Sequence, residues 1–156
     1  MDIRDYGPKE KHDLLILLNP TIPSVWATKH IKKGGFILSN NYHNNASQLY
    51  DASNEFELFG ALDFIEKDRR KGYNKAKVSR DLEGLFQEVK NISEFEQLRP
   101  EEFEFTMEFI NHMVNEGHIK IDKNAPLEEK WKEYRSLMNE GMPFRRTAEM
   151  YIFRKK

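Results

Sequence analysis

The chain has 156 residues, and 25 Lys or Arg against 26 Asp or Glu give a formal net charge of −1. This balance argues against binding of nucleic acid through overall positive charge, and 38% apolar residues exclude a disordered composition. The absence of cysteine excludes disulfides, thiolate metal sites and cysteine nucleophiles, and it is compatible with a cytoplasmic location.

The first predicted element is a strand at residues 14–18. These residues are continuously apolar, and Asn19-Pro20 stops the run after about six residues, a length that favours a strand over a helix. A strand that is apolar on both faces is typical of the middle of a parallel sheet covered by helices.

A helix is predicted next, between this strand and a second one. Thr21 and Pro23 are suited to its start. Lys32 and Lys33 suit its last turn, where cations interact favourably with the helix dipole, and Gly34 suits its left-handed end. With a second buried strand after it, the segment predicts a right-handed βαβ crossover.

Four further segments complete the predicted sheet region. Residues 36–38 read as the second buried strand, and residues 44–50 as a short helix. Residues 55–64 alternate, with Phe56, Leu58, Leu62 and Phe64 on one side, which predicts a strand with one solvated face. The last strand, residues 147–153, is apolar on both faces and should lie inside the sheet.

The segment between the last two strands, residues 66–146, is predicted to be a helical insertion. Helices are expected at residues 78–89, 100–116 and 126–139. The second begins at a proline and ends before a glycine, and its apolar stripe is Phe103, Met107, Ile110 and Val114. The third has an equivalent stripe formed by Leu127, Trp131, Tyr134 and Met138.

The sheet region resembles the carboxyl-terminal half of a class I S-adenosylmethionine-dependent methyltransferase. Residues 2–5 (DIRD) look like the acidic turn after the third strand of that family, and residues 13–20 (DLLILLNP) like its fourth strand and Asn/Asp-Pro turn. Residues 31–38 (IKKGGFIL) look like the turn into its fifth strand. Residues 55–64 would be the sixth strand, and residues 150–155 (MYIFRK) resemble the seventh.

The resemblance implies an α/β fold with a partial Rossmann-like sheet, in which the strands resemble 4-5-7-6 of the family. In that order the last strand is central and the sixth is at the edge, in agreement with the apolar patterns of the two segments. Residues 1–65 and 147–156 would form the methyltransferase-like core, and residues 66–146 the insertion.

The family binds its cofactor with a first strand, a Gly-rich turn and an acidic residue after the second strand. The eight glycines of this chain contain no such cluster, so the resemblance suggests a truncated or split methyltransferase. Residues 14–18 would then form an open apolar edge, which is a template for pairing with other strands. Another chain, a second copy or an upstream segment would cover it.

The resemblance also implies cofactor-binding residues. Asn19 and Pro20 would lie beside the methyl donor S-adenosylmethionine, and Asp2 near its adenine. The family motif at this turn is Asn/Asp-Pro-Pro-aromatic, and Thr21-Ile22 departs from it. The alternative without a binding role for Asn19 and Pro20 is a turn that ends a strand, and the alternative for Asp2 is a solvated terminal acid.

A second candidate site follows the predicted second strand. His43 could act as a general base near neutral pH, and Tyr42 could stack on a substrate, so both are candidate catalytic residues. Asn40 and Asn41 are candidate substrate-binding residues. The alternative is a polar loop that caps the next helix through local hydrogen bonds.

The remaining candidates lie in the predicted insertion. Residues 67–80 carry seven Lys or Arg, with Tyr73 available for stacking, and could contact nucleic acid or a substrate. The alternative, a solvated charged face, is the more common. His112 and His118 lack a carboxylate partner at ligand spacing, so no metal site is expected.

Two functions remain open. The first is a methyltransferase in which the insertion shapes the acceptor site and the missing strands are supplied from elsewhere. Transfer from a sulfonium depends mainly on positioning, so it requires no invariant base. The second is a non-catalytic α/β binding or regulatory module that has lost cofactor binding.

Overall fold

A computed structural model of the protein describes residues 5–68, 73–138 and 143–156. This part of the chain is mixed α/β, and none of its helices is long and apolar enough to cross a membrane. The strands are β1 (His12–Leu17), β2 (Ile31–Ser39), β3 (Phe56–Asp68), β4 (Tyr73–Ser79) and β5 (Met150–Lys155). The helices are α1 (Val25–Thr28), α2 (Asn45–Asp51), α3 (Ile92–Leu98), α4 (Pro100–Asn115) and α5 (Leu127–Met138).

The chain divides into two compact units. The sheet unit comprises Met1–Glu83 and Ala148–Lys156, and the helical unit comprises Gly84–Thr147. The sequence placed residues 66–146 in one helical insertion, whereas β4 and the residues that follow it belong to the sheet unit. The strand β4 was not predicted, because its lysines resemble a solvated charge run.

The five strands form one sheet in the order β1-β2-β5-β3-β4. β1 and β2 are parallel, whereas β5 is antiparallel to both β2 and β3, and β4 is antiparallel to β3. The last strand therefore lies between β2 and β3, as its apolar residues predicted, and Tyr151 and Phe153 of this strand are buried. β1 is an edge strand of the described sheet.

The helix between the two parallel strands is much shorter than predicted. α1 is a single turn, and Lys32 and Lys33, expected in its last turn, lie in β2 instead. Gly34 does adopt a left-handed backbone, with φ +80°. However, it lies inside β2, where the register with β1 shifts, so it forms an irregularity of a strand and not the end of a helix.

At Gly35 the β1–β2 pair leaves little room for a side chain. A Cβ there would lie 2.9 Å from Ile31 Cγ2 and 3.0 Å from the carbonyl oxygens of Asp13 and Lys32. Since those oxygens belong to the backbone, we expect Gly35→Ala to lower the free energy of unfolding by about 2 kcal/mol in urea titrations. Gly7→Ala is the control, because a Cβ there meets nothing within 4 Å. Equal effects of the two substitutions would refute close packing at Gly35.

One face of the sheet is buried. Residues that are in register across paired strands share a face, and the pairings place Ile37, Phe153 and Leu58 in one row across β2, β5 and β3. Ile37 and Phe153 are fully buried. Lys155 Nζ donates to the Thr28 carbonyl oxygen of α1 (2.9 Å). The core of this unit therefore lies on this side of the sheet.

The opposite face is only partly covered. Leu14 and Ile16 of β1 are in register with Phe36 and Leu38 of β2. The side chains of Leu14 and Ile16 are 55% and 53% exposed, and those of Phe36 and Leu38 are half-buried. The prediction that residues 14–18 are buried on both faces is thus wrong for the face that carries Leu14 and Ile16.

The alternation predicted for the third strand is interrupted by an irregularity. The register of β3 with β5 shifts between Leu58 and Gly60. Leu58 therefore lies opposite the buried Phe153, whereas Leu62 lies opposite Met150 on the other face. The sequence assigned Leu58 and Leu62 to the same face, and the extra residue of the bulge reverses this assignment.

The helical unit has its own apolar core. The predicted stripe of α4 is confirmed, because Met107, Ile110 and Val114 are buried, and residue Gly117 follows the helix with φ +76°. Of the stripe predicted for α5, Trp131 and Tyr134 are buried, whereas Leu127 and Met138 are exposed. Other members of the core come from outside these two helices: Val89, Phe95 and Ile119.

The helix predicted at residues 78–89 does not form. Residues 78–79 belong to β4, and isolated bridges pair Leu85 with Arg146 and Glu88 with Phe144. Further backbone hydrogen bonds join the same two segments, including Arg145 N to the Gln87 carbonyl oxygen (2.6 Å). Pairing between the two ends of the helical unit has therefore overridden the local helical pattern.

Candidate functional site

The carboxyl ends of β1 and β2 lie side by side and bring Asn19 and Asn40 together. The backbone N–H of Asn40 donates to the Leu17 carbonyl oxygen (3.3 Å). Asn40 Nδ2 donates to Asn19 Oδ1, and the backbone N–H of Asn19 donates to Asn40 Oδ1 (3.3 Å). The carboxyl ends of parallel strands form the usual ligand crevice of such sheets. The amide pair therefore marks this edge as the candidate site.

The backbone at Asn19 has a special conformation. Its φ of +50° places it in the left-handed region, which asparagine tolerates better than most residues. Its side chain is exposed, and that of Pro20 is half-buried. The chain thus turns sharply where β1 ends, and the turn holds the Asn19 amide against Asn40.

The predicted substrate-binding residue Asn41 is occupied within the protein. Its Oδ1 accepts hydrogen bonds from Ser47 N (2.9 Å) and Ser47 Oγ (3.1 Å). Ser47 lies in the first turn of α2, so this contact holds the loop before α2 in place. The local hydrogen bonding that was the alternative to substrate binding is therefore present at Asn41.

The two candidate catalytic residues form an exposed ring pair. The Tyr42 and His43 rings meet edge to face with their centroids 4.8 Å apart. Both side chains are exposed. They follow Asn40 and Asn41 in the chain, just beyond the carboxyl end of β2.

Two predicted site residues do not join this group. Asp2 lies outside the described residues. Tyr73 begins β4 opposite Asp68, and its side chain is outside the description. Gly60 of β3 and Leu38 of β2 both lie opposite Ile152 of β5, so they are at the same height in the sheet. With a rise of about 3.3 Å per residue along β3, Tyr73 lies about 20 Å beyond the end of β2.

The basic segment that contains Tyr73 is partly engaged with the sheet. The Arg80 guanidinium carbon lies 3.7 Å from the centroid of the Phe59 ring, a cation–π distance. Lys75 and Lys77 lie in β4 with exposed side chains. Lys75 and Lys77 thus belong to an edge strand of the described sheet, where lysine is a common protection against strand pairing.

Asn45, which follows the loop of the candidate site, is a buried asparagine that was not predicted from the sequence. Asn45, at the start of α2, is fully buried, and neither its Oδ1 nor its Nδ2 has a hydrogen-bond partner among the described residues. Ser24 Oγ donates to the Asn45 carbonyl oxygen (3.3 Å), and Gln48 Oε1 accepts from Ser24 N (3.0 Å). No signal in the sequence separates Asn45 from its exposed neighbour Asn44.

A second polar cluster lies at the other end of β1 and β2. Tyr6 Oη and His12 Nε2 are 2.9 Å apart, and the Tyr6 ring meets the His30 ring edge to face at 5.2 Å. The backbone N–H of His12 donates to the His30 carbonyl oxygen (2.8 Å). His30 Nε2 is buried without a partner in the described chain. This cluster was not among the candidate sites predicted from the sequence.

The candidate site has no metal-binding arrangement in the described residues. Within residues 5–68, 73–138 and 143–156, no group of three or more His, Asp or Glu side chains is placed to hold a metal ion.

Comparison of the chain with protein-family models, curated proteins and solved structures gave no match.

Proposed function

We propose that this chain is a methyltransferase-like α/β protein whose sheet forms the acceptor-side half of an S-adenosylmethionine-dependent methyltransferase. The observation that carries the proposal is the arrangement of four strands. β1, β2 and β3 run in one direction, and the last strand, β5, runs in the opposite direction between β2 and β3. This arrangement supports the resemblance to strands 4-5-7-6 of the family.

The position of the amide pair also supports the proposal. Asn19 and Asn40 lie at the carboxyl ends of two parallel strands, where ligands of α/β sheets bind. If the hydrogen bonds between the two amides break, their N–H and C=O groups can bind acceptors and donors of a ligand. In this proposal Tyr42 and His43 contact the acceptor.

The residues present do not fit the whole cofactor. The eight glycines are dispersed along the chain, and Gly34 and Gly35 lie inside β2, away from its carboxyl end. No residue from Leu18 to Asn41 is acidic, so this stretch offers no carboxylate to bind the ribose hydroxyls. The cofactor-binding strands would therefore have to come from another polypeptide segment.

The edge strand β1 is where such a segment would attach. β1 pairs with β2 on one side only in the described sheet, so its outer backbone groups are free to pair with a further strand. Leu14 and Ile16 are exposed on the same strand. A partner chain or a second copy that covered this edge would bury both features together.

A second function is favoured by the hydrogen bonds of the site itself. Asn19 and Asn40 are paired with each other, and Asn41 holds the start of α2. These contacts stabilise the loops without any ligand. They favour a non-catalytic binding or regulatory module in which the former ligand crevice has become structural.

Calorimetric titration with S-adenosylmethionine distinguishes the two functions. The 156-residue chain alone should give no binding, with a Kd weaker than about 1 mM. A protein in which the chain is joined to, or mixed with, the polypeptide encoded immediately upstream should bind with a Kd in the micromolar range. Asn19→Ala in that assembly should weaken binding about tenfold, which corresponds to one lost polar contact.

Each outcome of this titration decides something. Micromolar binding by the 156 residues alone would refute the proposal that half of the cofactor site is missing. An upstream stop codon with no neighbouring segment that carries a Gly-rich turn, together with no binding, would favour the non-catalytic module.

A further inference from the structure

The helix α4 carries a second apolar stripe that its core does not use. Met107 and Ile110 point into the core of the helical unit and are buried. Phe105 and Phe109, one turn apart, are instead exposed, and Phe105 is 71% exposed. An aromatic side chain that is mostly in water and belongs to no core is a common mark of an interaction surface.

The exposed stripe continues onto α5. The rings of Phe109 and Tyr134 lie edge to face with centroids 6.0 Å apart, and Lys130 Nζ donates to Asn111 Oδ1 (3.3 Å). Since the higher number on α4 meets the lower number on α5, the two helices are antiparallel. The end of α5 therefore lies beside the amino-terminal half of α4. Two exposed apolar side chains lie at that end: Leu137 and Met138.

Acidic side chains flank this stripe on α4. Glu101, Glu104 and Glu108 are exposed, and Glu101 and Glu108 are each one turn from Phe105. α4 contains no Lys or Arg. Its fourth glutamate, Glu102, is paired with Arg99 just before the helix and is therefore not counted as part of the surface.

Glutamates near a helix start can be explained by the helix dipole alone, but that effect fades after the first turn. Glu104 and Glu108 lie beyond the first turn of α4, so the dipole does not account for them. Together with Phe105 and Phe109 they form a face that is both apolar and negatively charged.

We propose that this acidic aromatic surface, formed by Phe105, Phe109, Leu137 and Met138 with Glu101, Glu104 and Glu108, binds an amphipathic helical segment of a partner protein. The segment presents apolar side chains to the stripe and Lys or Arg to the glutamates. This is the helix-in-groove mode of recognition, with anchors at helical spacing. The inference does not depend on methyl transfer.

Charge selects this occupant over two others. A second copy of the same surface would place glutamates against glutamates, and juxtaposed like charges oppose association. An anionic lipid surface attracts basic segments and would repel this one. Only a basic segment complements the apolar stripe and its charged border at the same time.

The test uses the full chain and a designed probe. The probe is a labelled 18-residue peptide of leucine and lysine with the leucines at helical spacing, and the matched peptide has glutamate in place of lysine. Fluorescence anisotropy at low and high salt should show binding of the lysine peptide that weakens with salt. The glutamate peptide should bind at least about tenfold more weakly, because its charges oppose the surface.

Two variants locate the binding site. Phe105→Ser should weaken binding of the lysine peptide about tenfold, as expected for an interface anchor. Glu104→Lys with Glu108→Lys should weaken it by a similar factor and flatten its salt dependence. Val25→Ser, an exposed apolar position on α1 of the sheet unit, is the matched control and should leave binding unchanged. Circular dichroism confirms that each variant is folded.

Three results would overturn the proposal. The first is no binding, or equal binding of the two peptides. The second is binding that Phe105→Ser leaves unchanged in a folded protein. The third is a Phe105-dependent dimer in sedimentation velocity, or Phe105-dependent binding to phosphatidylserine vesicles, since either would identify a different occupant.

Discussion

Replacing Trp131 with alanine is expected to lower the free energy of unfolding of the helical unit by about 4 kcal/mol, because the loss of a buried Trp leaves a cavity. Trp131 is only 2% exposed. Its ring stacks on Phe95 at 6.2 Å, and the Arg135 guanidinium carbon lies 5.0 Å from its centroid. The side chain thus joins α3 to α5, and urea titration followed by circular dichroism measures its contribution.

The matched control on the same helix is Lys132→Ala. Its side chain is largely exposed and pairs with Glu128, one turn away, a contact worth about 0.5 kcal/mol. A Trp131→Ala protein that unfolds at the same urea concentration as Lys132→Ala would show that this core does not hold the helical unit together.

Changing Leu14 and Ile16 together to lysine is expected to abolish association through β1. The wild-type chain presents an open strand edge and two exposed apolar side chains on that strand, which favours pairing with a further strand. Loss of the apolar contacts made by these two side chains should raise the dissociation constant of any such complex by more than about tenfold. Sedimentation velocity over a concentration series measures the change.

The control for this experiment is Val25→Lys, which introduces the same charge at an exposed apolar residue of α1. It should leave association unchanged because Val25 is not on the edge strand. If the wild-type chain is monomeric at every concentration and the double variant behaves identically, β1 does not mediate self-association. If Val25→Lys also abolishes association, the interface is not β1.

The strands that the sequence predicted best are those with strong apolar patterns. Most of the run at residues 14–18 lies in β1, which ends at Leu17, and most of the closing segment lies in β5, which begins at Met150. β5 lies inside the sheet, and its Tyr151 and Phe153 are buried. The stripe of α4 was equally clear, since its period and its terminal proline and glycine agree. Where several local signals agree, the structure follows them.

The errors occur where two structures compete for the same residues. Lys32 and Lys33 suit the end of a helix, yet they lie in β2, within the stretch where its register with β1 shifts. The bulge at Gly60 reverses the face of Leu62, which alternation alone does not predict. In each case strand pairing, a non-local interaction, decided against the local pattern.

The candidate site was predicted in outline only. The sequence placed Asn19 and Asn40 at the ends of successive strands, and the structure brings them into contact. It did not predict that Asn41 would be held by Ser47 or that Asn45 would be buried without partners. Both features depend on the path of the loop before α2, and the sequence of that loop shows neither a periodic pattern nor a motif.

The two ends of the helical unit pair with each other, so the unit is a cassette, that is, a segment that can be exchanged as a whole. Leu85 and Arg146 form a bridge, and Arg145 N donates to the Gln87 carbonyl oxygen. The chain therefore enters and leaves the unit at neighbouring points, and their separation is fixed by these bonds and not by the number of residues between them. Helices inside the cassette can lengthen, shorten or be exchanged during evolution without altering the connection between β4 and β5, since the entropy of closing a loop grows only slowly with its length.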